Sequence, residues 1–198
     1  MIGRALLLSL LLPVPVGAME VRELEVSNEG RHYTVNAQVY LDAPSASILA
    51  VIADFDHLDL INETVVSSHY QGEAPEGGYL VSTEIKFCVV FICQDAQQLH
   101  RVYYPTPDHV VSEPIAEQSD LPDLVQHWWV RSEGEGSAMI YTMSVSAEGF
   151  IPPLIGPALV RRALRRISRD SAFEIERLAQ AHAAESEAEG SEAVEAQP

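Results

Sequence analysis

Residues 149–178 read GFIPPLIGPALVRRALRRISRDSAFEIERL, and the change of pattern inside this stretch decides the fold. The first half is an apolar loop: Phe150, Ile151, Leu154 and Ile155 stand among Pro152, Pro153, Gly156 and Pro157. That density of proline forbids a regular helix or an inner strand. From Pro157, a residue suited to a first helical position, the spacing turns helical. Val160, Leu164, Ile167, Ser171, Ile175 and Leu178 recur every three or four residues and predict one buried stripe. Arg161, Arg162, Arg165, Arg166 and Arg169 occupy the opposite face. A helix with a single apolar stripe needs a sheet or another helix beneath it.

Upstream, residues 32–41 alternate Tyr33, Val35, Ala37, Val39 and Leu41 against polar neighbours, the signature of a half-buried strand. Asp42 and Pro44 end it. Ser45 or Ser47 can cap a short helix through Ile48, Leu49, Val51 and Ile52 to about Phe55, and residues 56–63 read as a second. Six strand-like runs follow, at 65–73, 79–88, 93–104, 109–118, 124–133 and 137–147. The expected class is therefore α+β: one strand, two short helices, then six consecutive strands in an antiparallel meander covered on one face by the long helix.

The connections alternate in character. Those at 73–78, 105–108 and 133–136 are polar, Ser119–Asp123 is mixed, and Val89-Val90-Phe91-Ile92 and the loop 150–157 are apolar. In an up-and-down sheet every second connection shares an end, so one end is predicted to be wet and the other apolar. Each large apolar side chain left in water forgoes roughly 1.5–3 kcal/mol, so this end must bury against itself, a ligand, a membrane or a partner.

Residues 1–18 carry Arg4, an apolar run and small residues at Val16 and Ala18, the pattern of a cleaved secretory signal. An uncleaved anchor is the alternative. Residues 184–198 hold five glutamates and no basic or aromatic side chain, and read as a disordered acidic tail. Residues 19–183 are then one domain, periplasmic or secreted. A net charge of −17 argues against nucleic acid. In an oxidising compartment Cys88 and Cys93, flanking a hairpin tip, are expected to form a disulfide.

Catalytic signatures such as G-x-S-x-G, H-E-x-x-H, the P-loop and G-x-G-x-x-G are absent, and no catalytic residue, cofactor or metal is assigned. Asp54, Asp56, His57 and Asp59 lack the spacing of a calcium loop. His69, His100 or His127 could enter a cavity beside Arg101, Arg131 or Glu113. Of Trp128 and Trp129 one faces inward, and alternation alone does not say which.

The order of elements resembles the helix-grip fold of the START-like (SRPBCC) superfamily, in particular its coenzyme-Q-binding and polyketide-cyclase-like branch. Residues 39–62 (VYLDAPSASILAVIADFDHLDLIN), the CVVFIC hairpin and the GFIPPLIGPALVRRALRR entry to the last helix carry the resemblance. It implies a seven-stranded antiparallel sheet wrapped around the C-terminal helix, with an apolar cavity between them that opens beside the loop before that helix. It also implies a hydrophobic ligand, of the lipid or polyisoprenoid quinone class, and no catalysis common to the superfamily. The expected lining is Phe87, Trp129, Met139, Tyr141, Met143 and Leu164, with Phe150, Ile151, Leu154 and Ile155 at the mouth. Val90, Phe91, Ile92, Arg161, Arg162 and Arg165 are the expected contacts to an anionic membrane. The alternatives are a cyclase- or dehydrase-like enzyme, or a module that docks a protein on its apolar end.

Overall fold

The computed structural model describes residues 19–147 and 155–195. An antiparallel sheet of eight strands runs in the order β1-β2-β8-β7-β6-β5-β4-β3. The strands are β1 (Glu20–Glu29), β2 (His32–Leu41), β3 (Val65–Glu73), β4 (Tyr79–Val89), β5 (Ile92–Thr106), β6 (His109–Pro114), β7 (Val125–Glu133) and β8 (Gly136–Ser146). Helix α1 is Ser45–Ile52 and α2 is Pro157–Glu195. The long helix lies along the concave side, packing on α1, β1, β2 and β4.

Strand β1 was not expected. Four glutamates among its ten residues leave the alternation visible only at Leu24 and Val26, of which Val26 is buried. It is an edge strand with a bulge between Val21 and Glu23, and its carboxylates discourage further pairing. The second short helix shrinks to a 3-10 turn at Leu58–Leu60. The ladder of β6 stops at Pro114, and Ala116–Gln118 forms a 3-10 turn where strand was expected.

Helix α2 continues through Glu195, into the segment expected to be a disordered tail. Alanine and glutamate are good helix formers, so nothing local halts it, although its side chains at 184–188 are exposed. Its buried stripe also drifts. Val160, Leu164, Ile167 and Ile175 are buried as expected, but Ala172, Glu176 and Ala179 take the inner positions lower down, and Ser171 and Leu178 are only half-buried.

Two packed clusters close the two ends. At one, Val39, Leu41, Ile48, Val130, Met139 and Ala179 form a solid core under α1. The buried Glu176 locks α2 there, accepting hydrogen bonds from the backbone N–H of Met19 (3.1 Å) and Asp42 (2.9 Å). At the other, Phe87, Val89, Ile155, Val160 and Leu164 pack with Val26, Tyr33 and Val35.

The antiparallel registers put turns 74–78, 107–108 and 134–135 at the first end, and the β4–β5 hairpin with the exit of β8 at the second. The alternation of polar and apolar connections therefore matches the topology. Polar groups intrude on the apolar end at two connections: Gly30-Arg31 between β1 and β2, whose Arg31 carbonyl accepts from the Ala147 N–H, and the β6–β7 connection, whose Asp123 accepts from the Ser146 N–H.

Candidate functional site

Strand alternation turns one face of β4–β8 toward α2. Val81, Thr83, Ile85 and Phe87 of β4 share that face with His100 and Val102 of β5, Val110 and Ser112 of β6, Gln126 and Trp128 of β7, and Tyr141, Met143 and Val145 of β8. Between this face and Val160, Leu164, Ile167 and Ser168 of α2 lies a cavity of about 200 Å³. Ile52, Phe55, Leu58, Ile61 and Val65 close a flank. The cavity extends to Val145, Ser146 and Ala147, where β8 gives way to the apolar loop.

Its wall is mostly aliphatic and aromatic. No Lys, Arg, Asp or Glu lines it among the described residues. Some of its polar groups form a band across the strands, while Tyr33, Asn62, Thr64, Ser146 and Ser168 line it elsewhere, the Tyr33 hydroxyl buried without a partner. His100 is 5% exposed, and its Nδ1 lies 3.2 Å from Ser112 Oγ. Burial pushes the imidazole down to about 4, so it is neutral at pH 7. The Tyr141 hydroxyl donates to Gln126 Oε1 at 3.2 Å, and burial drives its phenol upward.

Phe87, Tyr141, Met143 and Leu164 line the cavity as expected, but Trp129, Met139 and Ile155 do not. Trp128, hydrogen-bonded in register with Tyr141, faces inward. Trp129 stacks outside on His109 (ring centroids 4.4 Å apart) and His127 (5.3 Å). A signal for this parity existed: Trp129 shares its face with His127 and Arg131, whereas Trp128 shares one with Leu124 and Val130. Met139 faces inward but fills the solid end, and Ile155 is buried in the opposite cluster. Phe150, Ile151 and Leu154 lie outside the described residues. Thr83, Ser112 and Gln126 escaped the sequence reading because single polar residues in apolar strands look like solvent-face positions.

Of the three histidines weighed, only His100 enters the cavity. Arg101 and Glu113 pair with each other away from it at 3.4 Å, and Arg131 pairs with Asp108 at 3.0 Å, so neither supplies an acid–base partner. His57 is bound to Asp54 at 2.9 Å, which raises its pKa, and no group of metal ligands occurs among the described residues.

Cys88 and Cys93 are register partners joined by a disulfide. They hold a tip whose Val90 adopts φ 61°, a left-handed conformation that costs a β-branched residue roughly 1–3 kcal/mol. Val90 and Phe91 are 73% and 86% exposed, but Ile92 turns inward against the core. Arg161 donates to Asn28 Oδ1 and Arg166 pairs with Glu63 at 2.6 Å. Arg162 and Arg165 are exposed, with no carboxylate partner among the described residues.

No protein-family model and no curated protein sequence matches the chain. Solved structures do. A START superfamily protein from Mycobacterium smegmatis superposes with a TM-score of 0.59 at 17% identity, over 74% of this chain and 97% of its own. The chain has the START-like helix-grip fold. A STAR-related lipid transfer protein from Xanthomonas axonopodis covers 81% of the chain and 99% of itself (TM-score 0.57, 14% identity). The Zhui aromatase/cyclase from Streptomyces sp. R1128 covers 75% and 92% (TM-score 0.52, 15% identity). Relative to the sequence expectation, this helix-grip sheet has eight strands in place of seven.

Proposed function

We propose that the protein is an exported, non-catalytic carrier of a hydrophobic ligand of the lipid or polyisoprenoid quinone class. The observation that carries this reading is the apolar cavity of about 200 Å³ beneath α2, in a fold whose solved examples include a lipid transfer protein. The exposed Val90–Phe91 tip, together with Arg162 and Arg165, supports contact with an anionic membrane during loading. Export rests on the leader-like residues 1–18. Filling the cavity is the test. Leu164→Trp should keep the fold but weaken Nile red binding at least tenfold, and unchanged binding would contradict the proposal.

A second reading is favoured by His100. A neutral imidazole hydrogen-bonded to Ser112 inside the cavity is placed to polarise or deprotonate a bound carbonyl compound, as a cyclase-like enzyme requires. A ligand recovered chemically unchanged after prolonged incubation with the protein would sink it. Docking of a protein on the apolar end gains less support, because a cavity lies behind that end.

A further inference from the structure

Two neighbouring side chains on the inner face stand out. Thr83 and Gln98 are register partners on β4 and β5, 6% and 2% exposed. Thr83 Oγ1 and both amide atoms of Gln98 have no hydrogen-bond partner. A buried polar atom without a partner costs about 1–3 kcal/mol, and three sit together here. Two residues along β5 is His100, which reaches Ser112, and Ser112 is the register partner of Gln126, which holds Tyr141. One polar band therefore crosses five strands of the inner face: Thr83, His100, Ser112, Gln126 and Tyr141 line the cavity, and Gln98 is buried beside Thr83.

We propose that this band reads a single uncharged hydrogen-bonding group, a hydroxyl or a carbonyl, on the apolar ligand. The inference rests on the carrier reading and narrows its ligand class. Threonine and glutamine each donate and accept, so together they match either group. An anionic head is disfavoured: no basic side chain lines the cavity among the described residues, and a carboxylate or phosphate would lose its hydration without a countercharge. A pure hydrocarbon would leave the orphaned atoms unpaired.

The experiment is displacement of Nile red from the full-length protein by four ten- or eleven-carbon probes: 1-decanol, 2-undecanone, 1-chlorodecane and decanoate. Decanol and undecanone should compete at least tenfold better than the other two. In the double variant Thr83→Val, Gln98→Leu the preference should vanish while chlorodecane still binds, and the ligand-free Tm should rise as the orphaned atoms disappear. An unchanged preference in the double variant, or decanoate as best competitor, overturns the inference and leaves the carrier reading standing. Failure of Nile red and every probe to bind overturns both.

A separate observation carries a second inference. Glu176, 6% exposed, pairs with no basic side chain among the described residues, yet it accepts from the backbone nitrogen of Met19. Met19 is the residue immediately after the cleavage point read at Val16 and Ala18. We infer that cleavage after Ala18 creates an ammonium group at that atom, and that Glu176 is its built-in counterion, so maturation tightens the grip of α2 on the sheet. The test expresses the full chain, recovers the exported protein and identifies its first residue. Tm is then measured for wild type and Glu176→Gln before and after acetylation of the amino terminus. A first residue of Met19, with acetylation lowering the wild-type Tm but not that of Glu176→Gln, is the expected result. A different first residue, or equal losses in both proteins, overturns it.

Discussion

The two faces of β4–β8 treat polar side chains in opposite ways. Outside, Arg101 lies between Glu76 (3.1 Å) and Glu113 (3.4 Å) and over the Tyr103 ring, Arg131 pairs with Asp108, and His109, His127 and Trp129 stack. Inside, Thr83 and Gln98 are left open within an apolar wall. Water can satisfy the outer groups wherever the protein does not. It cannot do so inside without being enclosed, so the inner groups mark where something else belongs.

The largest effect expected from this contrast comes from adjacent residues of β4. Thr83→Glu should cost about 3–5 kcal/mol in urea unfolding, because it buries a carboxylate without a partner. Ser82→Glu, one residue away and facing outward, should stay within about 0.5 kcal/mol. Equal losses would erase the distinction between the faces.

The next is a pH effect. The His100 imidazole titrates near 4 in the fold and near 6.5 in the unfolded chain. Below pH 6.5 the unfolded chain takes up the proton first, so stability should fall as pH drops from 6.5 to 4 and level off below that. The total loss is about 3 kcal/mol. A His100→Phe variant should lose this component. Acid unfolding curves of the two proteins that stay parallel across the window would show that His100 is not buried.

Reducing the disulfide should cost about 2 kcal/mol in the chain-entropy picture. It should also loosen Val90 and Phe91 while leaving the solid end under α1 unaffected, as hydrogen exchange can resolve. Smallest of all, Arg131→Ala on the outer face should change stability by less than about 1 kcal/mol, as for other exposed ion pairs. A larger loss would mean that outer pairing stabilises the sheet more than burial does.

Much of this arrangement was legible in the sequence. The seven strands β2–β8 announce themselves by alternation and turns, and α2 by spacing that begins at Pro157. The pairing of Cys88 with Cys93 follows from their flanking an apolar hairpin tip at Val89 to Ile92. Strand β1 was illegible because an edge strand needs only one apolar face, and here that face shrinks to Leu24 and Val26. The Trp128 and Trp129 pair required knowing which neighbours were solvated, information present in Arg131 and Val130 but weak at one position each. The polar band as a whole could not be read, since Thr83, Gln98, His100 and Ser112 converge only when three strands are in register. Helix α2 runs on to Glu195 because an acidic, core-poor composition measures the lack of a core, not the lack of a helix.

The central claim is that the cavity holds an apolar molecule. Native mass spectrometry of the protein recovered from the cells that make it, followed by extraction of what it carries, tests this most directly. The account predicts one ligand per chain, largely hydrocarbon, with an uncharged hydroxyl or carbonyl and no ionised head. Protein that emerges empty and takes up no apolar molecule when supplied with the lipids extracted from those cells would contradict it.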